Sequence, residues 1–254
     1  MNAISPIITV KNLVKKYEAL TAVNGISFEV YEGEIFGLLG PNGAGKTTTL
    51  EIIETLREKT SGEVIVDGKN IEHYQNEIKK IIGVQLQAAG YYPSLTLLEL
   101  LRLFAGLYNV KVNAAEMLRL VGLEEKSKAK YKELSGGQKQ RFSICTTLIN
   151  KPKIVFLDEP TTGLDPQARR NLWELIRQIR DNGATVVLTT HYMDEAEHLC
   201  DRVAIVEKGE IIAIDTPDKL IDNLVASGFE RKREVKKANL EDVFLSLTGQ
   251  EWRQ

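Results

Sequence analysis

The eight residues GPNGAGKT at 40–47 match the pattern G-x-x-x-x-G-K-[ST] in full. In such a loop the glycines let the backbone curl until several N–H groups point inward at phosphate oxygens. A helix that starts there adds the positive end of its dipole to the same spot. Gly40, Pro41, Asn42, Gly43, Ala44 and Gly45 form the cradle, and Lys46 is the cation that reaches the β- and γ-phosphates. Thr47 is the expected Mg2+ ligand, and Thr48 follows it into the helix. A second stretch, IVFLDEP at 154–160, ends an apolar run in two acids. A buried strand with that ending delivers both carboxylates to the edge where open α/β sheets bind ligands. Asp158 is then the Mg2+-side carboxylate, and Glu159 the base that orients and polarises a water. The alternative for Glu159 is a turn cap before Pro160. Together these residues spell phosphoryl transfer to water.

A third stretch, LSGGQKQR at 134–141, looks like a second phosphate turn. Ser135 supplies a hydroxyl, and Gly136 and Gly137 bare their backbone N–H groups. Gln138 opens a helix expected over roughly 138–149, whose positive end points the same way. With no lysine and no metal ligand, this half-cradle can complete another site but not make one alone.

The elements that position these residues follow from the hydrophobic pattern. Strand-like and helix-like segments alternate, which predicts an α/β fold with a largely parallel sheet. IITVKNLVKKY, AVNGISFEVYEGE and GEVIVDG, with short alternating runs and Gly turns, predict a small antiparallel β part. EIFGLLG at 34–40 runs into the glycine loop and KTTTLEIIETLRE follows as helix, giving the strand–loop–helix order a phosphate loop needs. From about 88 to 150 the pattern is helical. TLLE at 96–99 is a capping box, NAAE at 113–116 opens a second helix, and Gly122 closes it. Asp165 and Pro166 start a helix whose Leu172, Leu175, Ile176 and Ile179 share one face, and Gly183 ends it. ATVVLTTH and RVAIVEKGEIIAI supply further strands.

Composition narrows the classes. Lys plus Arg number 33 and Asp plus Glu 35, a formal net charge of −2, which gives no electrostatic case for nucleic acid or an anionic membrane. Cys145 and Cys200 lie in no metal-ligand spacing and read as packing thiols. The N-terminus lacks a signal-peptide pattern. The most apolar region, LTLLELLRLFAGLYNV at 95–110, is broken by Glu99 and Arg102. If the chain acts at a membrane, another chain does the spanning. ERKREVKK at 230–237 reads as a solvated linker, and NLEDVFLSLTG after it as a short helix.

GPNGAGKTT, LSGGQKQR, FLDEPTTGLDP and TTH, in this order, resemble the nucleotide-binding domain of ATP-binding-cassette (ABC) proteins over about residues 5 to 225. The resemblance implies a P-loop NTPase (RecA-like) core: α/β with a mainly parallel sheet, a small antiparallel β subdomain and an inserted α-helical subdomain. It implies an ATP-binding domain over 1–228, the insert at about 88–150, and a C-terminal tail over 229–254 with a terminal helix. It implies that ATP with Mg2+ lies between the phosphate loop of one copy and the Ser135–Gln138 stretch of another, which is why one chain carries a second half-cradle. Tyr17 falls where the family stacks an aromatic ring on adenine; strand packing is the alternative. His191 falls at the γ-phosphate histidine. The glutamine that contacts Mg2+ or water is Gln87, counting from Ile82-Gly83, with Gln85 as the other candidate. Asp165 falls in the loop that crosses the dimer interface and also suits a helix cap. His73 and His198 have no such context and read as surface residues.

The expected reaction is hydrolysis of ATP to ADP and phosphate. The expected partners are a second ATP-binding subunit, most simply another copy of this chain, and separate transmembrane permease subunits, with no nucleic acid. The expected place is the cytoplasmic face of the cell membrane, peripherally bound. TTHYMDEAEHLCDRVAIVEKGEIIAIDTP and the tail look like the branch that exports drugs, antibiotics or lipids. The alternative is a soluble ABC ATPase, such as an iron–sulfur assembly type. Only about fifteen residues separate IDNL from LEDVF, where members of the exporter branch often carry a longer segment.

Overall fold

A computed structural model describes residues 5–85 and 90–229. Gln87 and nearly all of the tail expected over 229–254 lie outside the described residues. The chain divides into two compact units, Met1–Leu220 and Ile221–Gln254. The described part of the second is the C-terminal end of α8 (Pro217–Ala226) and residues 227–229.

Within the first unit, β1 (Pro6–Tyr17), β2 (Leu20–Tyr31), β4 (Ser61–Val66) and β5 (Lys69–Asn70) form an antiparallel sheet in the order β2-β1-β4-β5. A second sheet takes β3 (Ile35–Leu39), β6 (Ile82–Gln85), β7 (Ile154–Asp158), β8 (Thr185–Thr190), β9 (Arg202–Glu207) and β10 (Glu210–Asp215) in the order β10-β9-β3-β8-β7-β6. All its pairs are parallel except β9 with β10. Parallel strands are covered on both faces and so read as unbroken apolar runs. Every residue of β3, β7 and β8 is buried. Parallel neighbours also need crossovers, and α6 (Pro166–Asp181) and α7 (Met193–Leu199) make two of them.

Alternation along these strands divides the core in two. Val155 and Leu157 of β7 join the cluster on the helical side, which includes Leu100, Leu118 and Phe142. Ile154 and Phe156, one residue out of step, join the cluster shared with the antiparallel sheet, which includes Val10, Phe28 and Val30. Period-two side chains make this division unavoidable. Phe28 of β2 stacks on Phe36 of β3 at 5.3 Å between centroids.

The helices keep most of the predicted bounds. α1 (Lys46–Ile53) starts at the glycine loop and stops early, where Glu54 caps it and Thr55 turns left-handed at φ 62°. α2 (Gln75–Ile81) leads into β6. α3 (Leu97–Leu107) opens on the reciprocal Thr96–Glu99 box, and Asn113 caps α4 (Ala114–Leu120). α5 (Gly136–Thr147) begins two residues ahead of the expected start. Ser135 Oγ accepts from the Gln138 backbone N–H while the Gln138 side chain accepts from the Ser135 N–H. Ser135 is therefore the N-cap, and S-x-x-Q is a capping box in its own right. Cys145 and Cys200 are buried and free, and burial pushes the Cys145 thiol up to about 12.

Candidate functional site

Sheet register brings the predicted residues together. Leu39 lies beside Thr190 and Asp158 beside Thr189, so β3, β7 and β8 end at one level. The chain leaves β3 there through Gly40, whose N–H donates to the Thr190 carbonyl at 3.2 Å. Gly45 ends the loop as the N-cap of α1 with φ 97°. Any Cβ on it would stand 2.3 Å from the Ala22 carbonyl oxygen of β2, so this position needs glycine on two counts.

Lys46 is 4% exposed and donates from Nζ to the carbonyls of Gly40 at 2.8 Å and Pro41 at 3.0 Å. Glu159 Oε1 lies 3.7 Å from the same nitrogen. Burial lowers the Lys46 pKa, opposed by the charges of Glu159 and Asp158. The Thr47 hydroxyl donates to Asp158 Oδ1 at 3.1 Å. Thr189 donates to the same oxygen and accepts from the Glu159 N–H at 3.0 Å.

Glu159 has a φ of 48°, unusual for a residue with a side chain and the kind of strain that gathers at functional sites. Its N–H is also shared with the Thr189 carbonyl at 3.2 Å, and its Oε2 accepts from Thr162 at 3.1 Å. These bonds aim the carboxylate into the loop mouth. His191 follows β8, with Nδ1 3.2 Å from Glu159 Oε1 but without hydrogen-bond alignment.

A cavity of about 390 Å³ is lined by Tyr17, Asn42, Gly43, Gly45, Lys46, Thr47, Thr48 and Glu159, among others. Tyr17 stands at it with Arg57 donating to its hydroxyl at 2.6 Å and Lys15 Nζ 4.9 Å from its ring. Ala44, within the loop, is buried. A separate cavity of about 280 Å³ is lined by Ser135, Gly136, Gly137, Gln138 and Asp165, among others. The two share no lining residue. Asp165 is an N-cap, accepting from the Ala168 N–H at 2.8 Å. One chain thus holds the glycine loop with Lys46, the acid pair and His191 at one cavity, and apart from it a second cavity at the Ser135 turn, where Arg141 is the lining cation.

Gln85, the alternative to Gln87, ends β6 opposite Leu157, 3% exposed, with Oε1 lacking a partner among the described residues. Sequence reasoning passed over Thr189 and Thr162, which hold the two acids. Paired threonines before His191 become a signal only once β8 is known to lie beside β7. His73 and His198 are exposed, and His198 stacks on Trp173 at 5.7 Å.

Comparison with known proteins agrees with this geometry. Residues 23–162 match the family described as ABC transporter. The linearmycin resistance ATP-binding protein LnrL of Bacillus subtilis (strain 168) is 43% identical over 219 residues, covering 84% of this chain and 70% of that protein. The Nod factor export ATP-binding protein I of Burkholderia orbicola (strain AU 1054) is 36% identical over a 293-residue alignment, covering 95% of this chain and 96% of that protein. A solved ATP-binding subunit of an ABC transporter superposes with a TM-score of 0.76 at 30% identity, covering 95% of this chain and 99% of the other. The dimeric ATP-binding cassette MJ0796, solved in a post-hydrolysis state with ADP and Pi, gives 0.74 at 30% identity over 82% and 98% of the two chains. The chain belongs to the ABC transporter family as an ATP-binding domain with the P-loop NTPase fold. It is a transporter ATPase. Among the described residues no helix is long and apolar enough to cross a membrane.

Proposed function

We propose that this chain hydrolyses ATP at the cytoplasmic face of a cell membrane to power an exporter of drugs, antibiotics or lipids, whose membrane-spanning path belongs to separate permease subunits. Two copies close on two ATP molecules, the phosphate loop of one facing the Ser135–Gln138 turn of the other. One observation carries the reading. Lys46, Thr47, Asp158, Glu159 and His191 converge at the shared ends of β3, β7 and β8, while Ser135 lines a cavity of its own. A site built that way is completed by a second copy.

The Gly40–Gly45 backbone holds the phosphates, and Tyr17 stacks on the base. Lys46 and the partner copy's signature turn stabilise charge spread over the γ-phosphoryl oxygens, and fixed donors of this kind carry most of such a reaction. Glu159 orients the attacking water and accepts its proton, and His191 contacts the γ-phosphate. Thr47 and Asp158 present hard oxygen ligands 3.1 Å apart, which fits Mg2+. Gln87 is assigned as a further ligand to metal or water. Mg2+ held there by Thr47 and Asp158 would supply positive charge that offsets the negative charge of the phosphates.

The export assignment is supported by what the linearmycin and Nod factor relatives are named for. Gentle affinity capture of the tagged chain from its native locus tests the membrane assignment. A polytopic membrane protein is the expected main companion. Soluble companions alone would favour the soluble ABC ATPase instead and leave the hydrolytic chemistry standing.

A further inference from the structure

The Nδ1 atom of His191 is buried and has no hydrogen-bond partner among the described residues. A working histidine is ordinarily aimed by the bond that its second ring nitrogen makes. Here a packing contact takes that place. The Tyr192 ring lies 4.1 Å from the His191 ring between centroids, tilted by 38°. The Tyr192 N–H donates to the Thr190 hydroxyl at 3.0 Å, which fixes the turn that carries both rings.

Tyr192 is held in turn. The Arg169 guanidinium lies 4.3 Å from the centre of its ring. The Arg169 side chain is only 19% exposed, and such a cation–π contact strengthens as water is excluded. Arg169 also donates to Asp194 at 3.0 Å, so its charge is paired while it sits over the ring. Tyr192 caps α7 and Asp194 stands in the first turn of that helix. Arg169 lies one turn into α6, where its N–H donates to the Asp165 carbonyl at 3.0 Å. Direct contacts therefore run from the head of α6 through Arg169 and Tyr192 to the imidazole beside Glu159. Without the Tyr192 ring, the two side-chain torsions of His191 lose the wall that selects among their wells. A group misplaced by about 1 Å can cost roughly 10²-fold in rate.

We propose that Tyr192, clamped by Arg169, is a positioning residue for ATP hydrolysis that sets the orientation of the His191 ring. The inference rests on the assignment of His191 to the γ-phosphate given above. Neither Tyr192 nor Arg169 lines either cavity, so the effect falls on turnover and not on nucleotide binding.

The test is ATP hydrolysis by the full chain, in steady state for kcat and KM and in single turnover for slow variants, with the folded fraction measured alongside. Tyr192→Leu removes the ring, Tyr192→Phe keeps it, and Arg169→Met removes the charge above it. Expected for Tyr192→Leu are a kcat about tenfold lower and a KM for ATP within about twofold of wild type, with Tyr192→Phe recovering most of kcat. Arg169→Met should lower kcat in the same way. The decisive comparison repeats Tyr192→Leu in a His191→Ala chain. Residues that act through one another are not additive, so there the second substitution should change the single-turnover rate by less than about twofold. A further tenfold loss in that background would mean that Tyr192 acts elsewhere, and overturns the proposal. So does a Tyr192→Leu chain whose kcat per folded molecule stays within about twofold of wild type, or a Tyr192→Phe chain as impaired as Tyr192→Leu. If Tyr192→Leu does not fold, Arg169→Met decides by the same comparison. His191→Ala alone separates the two levels: wild-type turnover there fails the site assignment, whereas lost turnover there with an unimpaired Tyr192→Leu fails only this inference.

Discussion

Replacing Glu54 with Gln isolates the ionisation of one buried carboxyl. Glu54 caps the C-terminal end of α1, is 2% exposed, and has an Oε1 without a hydrogen-bond partner among the described residues. Burial, helped by the negative charges of Asp158 and Glu51, pushes its pKa from 4.5 up to about 8. The folded chain therefore holds this proton over a range where the unfolded chain has released it. The stability tied to it is complete below pH 4.5 and drains away as the pH rises toward 8. At 1.36 kcal/mol per pH unit, with the curvature at each end included, the loss between pH 5 and pH 8 is about 3.5 kcal/mol. Glutamine fills the same volume, carries the same kind of polar burial and has no proton to lose. Urea unfolding of nucleotide-free wild type and Glu54→Gln at pH 5, 6, 7 and 8 measures the difference directly. The two proteins should agree within about 1 kcal/mol at pH 5, with the variant gaining steadily to about 3.5 kcal/mol at pH 8. Parallel stability curves across that range would refute the buried, neutral Glu54.

Tyr17→Ala removes the ring at the mouth of the cradle and should weaken ATP binding by about 1–3 kcal/mol, roughly 5- to 150-fold, with Tyr17→Phe close to wild type; an unchanged Kd by calorimetry would return Tyr17 to strand packing. Ser135→Arg should bind ATP at its own phosphate loop with wild-type affinity but lose turnover, while loss of the N-cap lowers stability by about 1 kcal/mol. Unchanged turnover would remove the Ser135 turn from the site.

What the sequence made legible is what it keeps contiguous. The phosphate loop, the strand ending in Asp158-Glu159, the Thr96–Glu99 box and the Asp165-Pro166 start each lie within a few residues, so local chemistry announces them. Thr189 was not legible, because its bonds to Asp158 and Glu159 exist only through the pairing of β8 with β7. The left-handed turns at Thr55 and Glu159 involve residues that rarely adopt them, so residue type gave no warning. The early start of α5 was within reach, since Ser135 and Gln138 form a recognised box, but two glycines at the head of a helix argue for a loop on propensity alone. Glu195 left a faint signal: it sits four residues before Leu199 on the apolar side of α7, and both are buried. An acid at such a place reads as a periodicity error until the Trp173 donor on α6 is known.

In the proposed function two copies of this chain enclose ATP and Glu159 ends that state. Sedimentation of Glu159→Gln with saturating ATP and Mg2+ tests it most directly. A dimer that retains intact ATP is expected, with turnover lowered about 10²- to 10⁴-fold. A monomer at saturating ATP, from a variant that still binds nucleotide, would contradict it.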